Sequence, residues 1–202
     1  SEACAKLAPR QSSLLFLGGD HFITYPILKG LKRGRPGQYG LVYFDAHADF
    51  YSDLGGYQLS HATGVRRIVE GGIVSIDDIA AYDLRSALPD QREALTGVKN
   101  PNLSKEQFKQ RVKEIGARVD NLYVSVDMDV LSPQIAPGVS HPESGGLSMS
   151  ELSELLLCVF ETGKARFADI VELNPLIDES GITTIAARDI VKEILTGFAG
   201  PQ

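Results

Sequence analysis

Five short apolar runs, each followed by turn residues and then by a stretch of helical periodicity, constrain this chain more than any other feature. The runs are Ser13 to Leu17, Gly40 to Phe44, Ile79 to Leu84, Asn121 to Val126 and Phe167 to Glu172. They are mostly apolar throughout and do not alternate with polar residues, which is the pattern of strands covered on both faces. Apolar residues at three- and four-residue spacing predict helices over Thr24 to Lys32, Ala62 to Glu70, Lys105 to Ile115, Met149 to Glu161 and Gly181 to Leu195. Ser104 with Gln107, and Ser148 with Glu151, read as capping boxes at two of these helix starts. Strands alternating with helices predict an α/β fold with a mainly parallel sheet.

A chain of 202 residues is long enough for one well-buried domain, and a single domain over 1–202 is expected. No apolar stretch approaches the ~20 residues of a membrane span, and the first residues do not read as a basic-then-apolar leader. Cys4 and Cys158 are the only cysteines. A disulfide framework is therefore not expected, and the expected setting is the reducing cytoplasm. With a net charge of −6 and scattered Lys and Arg, the chain does not read as a nucleic-acid binder. Its acidity is instead concentrated in two short segments, where like charges repel unless cations neutralise them.

The first acidic segment, Asp45-Ala46-His47-Ala48-Asp49, follows an apolar strand and places three ligand types at alternate positions. An extended backbone sends alternate side chains to one side, so the three can converge. Asp127-Met128-Asp129 repeats the device after another strand, and Gly18-Gly19-Asp20-His21 ends a third, where the glycines allow a sharp turn. Each piece alone is ordinary, since an aspartate after a strand is usually a turn former or a cap. Together they predict a two-metal site of oxygen and nitrogen ligands, suited to Mn²⁺ or a similar cation. Two such ions roughly 3.5–4 Å apart would activate a hydroxide between them.

The segments GGDHFITYP, YFDAHADFY, SHATGVRR, YDLRS, SVDMDVLSPQIAPG, HPESGGLS and DIVELNPLID resemble, in order, the motifs of the ureohydrolases, the family of arginases and agmatinases. The resemblance implies a three-layer αβα sandwich, two manganese ions, and hydrolysis of a small guanidino or formimino substrate. Carried over by motif position, His21, Asp45, Asp49 and Asp127 would hold one metal, and Asp45, His47, Asp127 and Asp129 the other. Asp20 would support the loop or orient a ligand imidazole. His61 would shuttle a proton to the leaving amine, Glu172 would pair with the guanidinium, and Asp49 would belong to the catalytic set as well as the metal set. A homo-oligomer is the expected assembly.

Tyr51 and the agmatinase-like HPESGG segment with Glu143 lean the resemblance towards agmatine, cleaved to putrescine and urea. Tyr51, His141 and Glu143 are the candidate substrate contacts. Formiminoglutamase, arginase or another guanidino-acid hydrolase, and a non-catalytic metal-binding paralogue are the competing readings. A phosphoesterase is disfavoured because no arginine cluster accompanies the ligand segments. Family members carry a further strand and helix before the GGDH strand, so the sheet is expected to be shortened at its amino terminus. The stretch between Leu95 and Leu122 also reads as abbreviated by a strand.

Overall fold

The computed structural model describes residues 2–9, 13–86 and 103–200. In chain order its elements are α1 (Glu2–Leu7), β1 (Leu14–Leu17), α2 (Thr24–Gly34), β2 (Tyr39–Phe44), α3 (Gly64–Glu70) and β3 (Ile79–Tyr82). These are followed by α4 (Lys105–Arg118), β4 (Asn121–Asp127), α5 (Met149–Phe160), β5 (Ala165–Val171) and α6 (Ile182–Ala199). The five strands form one parallel sheet in the order β1-β5-β4-β2-β3. Among the described residues, no helix is long and apolar enough to cross a membrane.

The apolar runs are continuous because both faces of the sheet are covered. Along β2, Tyr39, Leu41 and Tyr43 face a core shared with Leu28 and Leu31 of α2 and with Val65 and Ile68 of α3. Val42 and Phe44 face the opposite core, filled by Phe108, Val112 and Ile115 of α4, Leu152 and Leu155 of α5, and Ile190 of α6. Helices α1, α2 and α3 therefore lie on one face and α4, α5 and α6 on the other, which is the three-layer αβα arrangement. Parallel strands joined through helices place all their carboxyl ends on one edge, where an open α/β sheet binds ligands.

All five expected strands and all five expected helices are present, and their ends differ by a few residues for identifiable reasons. Strand β3 stops at Tyr82 because Asp83 turns to φ +68°, and β5 stops at Val171 because Glu172 turns to φ +66°. Both capping boxes form. The Gln107 and Glu151 backbone N–H groups donate to the Ser104 and Ser148 hydroxyls, both at 3.3 Å, and the Gln107 and Glu151 side chains accept from the two cap N–H groups at 2.9 Å. Helix α1 lies in a segment for which the sequence predicts no element, because six residues are too few to show a period. It docks on α2 with Cys4 buried, at Gly34, where a Cβ would run into the Ala5 carbonyl. Of the stretch that reads as abbreviated, residues 95–102 lie outside the described residues.

Phe108 anchors α4 on the sheet. It is fully buried, with its ring 5.5 Å from Phe44 and 4.8 Å from Tyr82. Phe108→Ala is expected to lower the unfolding free energy by about 3–5 kcal/mol, with Phe108→Leu costing clearly less. Urea unfolding followed by circular dichroism measures both, and equal stability of Phe108→Ala and the unaltered chain would contradict this packing.

Candidate metal centre

Every strand sends residues to one edge of the sheet. The turn after β1 carries His21, the segment after β2 carries Asp45, His47 and Asp49, and the end of β4 carries Asp127 and Asp129. Glu172 follows β5, and Arg85 and Ser86 follow β3. Short local bonds aim the carboxylates. Asp45 Oδ1 accepts from the His47 N–H at 2.6 Å, Asp127 Oδ1 from the Asp129 N–H at 2.9 Å, and Asp129 Oδ1 from the Ala46 N–H at 3.0 Å. Asp49 sits at φ +48°, and its carbonyl accepts from Val65 and Arg66 at the start of α3. That tie holds the ligand segment against the helix that follows.

His21 Nδ1 lies 2.9 Å from Asp45 Oδ2, 2.9 Å from Asp49 Oδ2 and 3.3 Å from Asp127 Oδ2. His47 Nδ1 lies 2.9 Å from Asp129 Oδ2 and 3.6 Å from Asp45 Oδ1. Two candidate ligand groups result, His21 with Asp45 and Asp127, and Asp45 with His47 and Asp129. Asp45 belongs to both, presenting one oxygen to each imidazole. Asp127 joins the His21 group through one oxygen while its other accepts the Asp129 N–H.

The donor set of the His21 group fits a divalent cation on a specific observation. His21 Nε2 is 2.8 Å from Ser125 Oγ, and that hydroxyl donates its proton to Asp169 Oδ1 at 2.5 Å. With the hydroxyl proton committed, the Nε2–H of His21 is the donor, so the Nδ1 lone pair faces three carboxylates. Among the described residues, His21 Nδ1 and Asp45 Oδ2 are buried without a hydrogen-bond partner. A bare lone pair among carboxylate oxygens is repulsive unless a proton or a cation lies between them.

The electrostatics agree. Burial, then the neighbouring Asp49 and Asp129, pushes Asp45 up to about 6. Burial likewise holds Asp127 well above the usual carboxylate range, with Asp129 and Asp45 adding to it. Burial also opposes charging of His47, but Asp129 and Asp45 outweigh it and raise the imidazole to about 11. His21 moves up in the same way, burial again opposing and Asp127, Asp45 and Asp49 prevailing. Without a cation, then, protons hold the cluster together.

A cavity of about 280 Å³ opens beside the cluster, with Asp49, Asp127, Asp129, His47 and Glu172 among its walls, alongside Tyr51, Leu54, His61, Ala62 and His141. Among the described residues, no lysine or arginine lines it. Glu172 Oε1 accepts from the His21 backbone N–H at 2.7 Å, and burial pushes its carboxyl up. His61 opens a short turn in which Thr63 Oγ1 accepts from the Ser60 N–H at 3.1 Å, and its ring stacks on His141 with centroids 5.3 Å apart.

The sequence matches the model of the Arginase family over residues 1–197. The chain belongs to the arginase family. It is 37% identical over 186 residues to a mitochondrial arginase of Medicago truncatula, covering 89% of this chain and 54% of that protein. An agmatinase of Halalkalibacterium halodurans is 32% identical over 200 residues, covering 96% of this chain and 66% of that one. The solved structure of proclavaminate amidino hydrolase from Streptomyces clavuligerus superposes with a TM-score of 0.83 at 29% identity, over 98% of this chain and 68% of that chain. This arginase-family chain thus spans about half the length of the curated arginase it matches.

The structure brings together His21, Asp45, His47, Asp49, Asp127 and Asp129, with Tyr51, His61, His141 and Glu172 around the adjoining cavity. Glu143 lies off the cavity wall, its Oε1 3.3 Å from His47 Nε2. Asp20 is exposed and makes no side-chain cap bond. The imidazole of His21 is met instead by Ser125, backed by Asp169, a role the sequence reading did not assign. Asp169 is fully buried and accepts from Thr24, Tyr123 and Ser125. A carboxylate within the apolar run FADIV was the available signal.

Because His47 is raised from 6.5 to about 11, its proton stabilises the metal-free fold in full below pH 6.5, and that contribution is lost as pH rises through about 11. A bound cation has to displace such protons. Manganese added to metal-free protein at neutral pH is therefore expected to release protons, with apparent affinity falling as pH is lowered. Calorimetric titration in buffers of different ionisation enthalpy measures this, and uptake without proton release would contradict the assignment.

Proposed function

We propose that this chain hydrolyses the C–N bond of a linear guanidino compound, with agmatine, giving putrescine and urea, as the leading substrate. The observation that carries this reading is the charge of the cavity, which is lined by Asp49, Asp127, Asp129 and Glu172 and, among the described residues, by no lysine or arginine. Such a wall favours a cation and gives an α-carboxylate no permanent positive partner. A volume of about 280 Å³ suits a small, linear molecule.

His21, Asp45, Asp49 and Asp127 would hold one divalent ion, and Asp45, His47, Asp127 and Asp129 the other, with Mn²⁺ matching this mixture of carboxylate and imidazole. Bound there, the ions would supply Lewis-acid activation of water at neutral pH. The remaining steps fall to this chain's side chains. Glu172, one oxygen tied to the His21 N–H, presents a fixed carboxylate to orient a planar guanidinium. His61, its ring steadied against His141, passes a proton to the leaving amine, which departs poorly as an anion. Tyr51 and His141 contact the rest of the substrate. A guanidino acid is the second reading, because His61 and His141 are the imidazoles on the wall, besides His47, that can meet a carboxylate.

Release of urea or formamide from agmatine, arginine, guanidinobutyrate and formiminoglutamate by the manganese-loaded chain tests the substrate. The highest kcat/KM is expected for agmatine, and a clear preference for arginine would overturn that choice. Two substitutions separate binding of the ions from proton transfer. Asp127→Ala is expected to lose bound manganese together with turnover, whereas His61→Ala keeps its manganese and slows turnover by roughly 100-fold. Metal analysis beside steady-state rates reads both, and full metal content in Asp127→Ala or unchanged turnover in His61→Ala would remove the residue from its role.

A further inference from the structure

The two imidazoles of the metal centre are supported from behind by different means. His21 is backed by Ser125 and Asp169 inside the sheet, as described above. Behind His47 stands Glu143, whose Oε1 lies 3.3 Å from Nε2 and accepts from the Ser86 hydroxyl at 2.6 Å. Residue 143 belongs to a loop far along the chain from both, so something has to fix that loop in place.

Arg85 does so. Its guanidinium donates to the carbonyls of Asp129 at 2.6 Å and Val130 at 3.3 Å on one side, and to those of Glu143 at 3.3 Å and Ser144 at 3.0 Å on the other. Asp83 pairs with the same guanidinium at 2.7 Å. The loop also presses on the metal-ligand segment at Gly146, which has φ +92° and leaves no room for a Cβ beside the Leu131 backbone. Leu147 N–H donates to Val130 at 2.9 Å and closes the contact.

We propose that Glu143 is a positioning residue for the metal site formed by Asp45, His47 and Asp129, with Ser86 and Arg85 holding it there. With its carboxylate 3.3 Å from His47 Nε2, Glu143 favours a proton on that nitrogen, which leaves the Nδ1 lone pair for the cation. Its carboxylate is turned to His47 and Ser86 and is absent from the cavity wall, so it acts through the imidazole and not on the substrate. The proposal rests on the two-metal reading of the site, and it deepens that reading by making one of the two ion positions depend on a loop outside the ligand set.

The test is an equilibrium titration of the whole chain with Mn²⁺, following free ion by electron paramagnetic resonance, for the unaltered chain, Glu143→Ala, Glu143→Gln and Ser86→Ala. The unaltered chain is expected to take up two ions and show the signal of a spin-coupled pair. In Glu143→Ala one ion keeps its affinity and the other weakens by about 10- to 100-fold. Glu143→Gln, which retains the shape and an acceptor, recovers part of the loss, and Ser86→Ala shows a smaller one. At saturating Mn²⁺ the KM of Glu143→Ala stays that of the unaltered chain. Two unweakened ions with a raised KM would mean that Glu143 meets the substrate, and equal weakening of both ions in the isosteric Glu143→Gln would mean a general disturbance. Either result overturns the proposal. Failure of the two-metal reading is distinguishable, because the unaltered chain itself would then bind no pair of ions.

Discussion

Four carboxylates and two imidazoles meet where the strands of this sheet end, and their mutual charge is the constraint on which the rest of the structure depends. Asp45, Asp49, Asp127 and Asp129 are all buried, and His21 is buried among them. Carboxylates so placed repel one another and lose hydration, and the shifts of Asp45 and Asp127 towards the neutral form show both effects. Opposite charge has to come from protons on the imidazoles or from cations between the groups. The parallel sheet makes the convergence possible, since it delivers all its carboxyl ends to one edge while the helices on both faces keep water from the strands beneath.

Holding side chains in such a cluster requires backbone that does not follow the ordinary path. Asp49 and Glu172 both lie at positive φ, a conformation that costs of order 1–3 kcal/mol for a residue with a side chain. In each case the surrounding bonds over-determine it. Asp49 is tied through its carbonyl to the start of α3, and Glu172 by its own N–H to Gly19 and by its carboxylate to the His21 N–H. The second tie links the turn after β1 to the turn after β5, so that the group proposed to orient substrate and a candidate metal ligand are positioned by the same pair of bonds.

Much of this was legible in the sequence, for reasons that also explain what was not. Continuous apolar runs such as Gly40 to Phe44 state a strand buried on both faces, and the capping serines 104 and 148 state where α4 and α5 begin. The candidate metal ligands are legible because Asp45, His47 and Asp49 crowd within five positions just past a strand end, a local property, although the backbone bends at Ala46 and His47 and turns to φ +48° at Asp49 instead of staying extended. What lies behind the ligands is not local. Nothing near Ser125 says that it meets His21, 104 positions away, and nothing near Arg85 says that it joins the carbonyls of Asp129 and Glu143. Such pairings come from strand order, β1 beside β5 beside β4, and strand order is set by the packing of helices over the whole sheet. Helix α1 escaped notice for a different reason, being shorter than two turns and stabilised by docking on α2.

The two halves of the centre consequently differ in how they are made rigid. The His21 half is built into the sheet: its imidazole is 3% exposed, and the hydroxyl behind it belongs to a central strand and donates to a fully buried carboxylate. Disturbing that support means disturbing β4 and β5. The His47 half is 27% exposed, and the carboxylate behind it, 37% exposed, sits on a loop that Arg85, Ser86 and the Leu147 pairing fasten to the ligand segment. A change in that loop can therefore alter one ion position while the fold and the other position remain, which makes the loop the part of the centre most open to variation without loss of the sheet. Within one family whose members include arginases and agmatinases, such an arrangement separates what must stay fixed, the candidate ligands gathered at the strand ends, from what can be retuned around them.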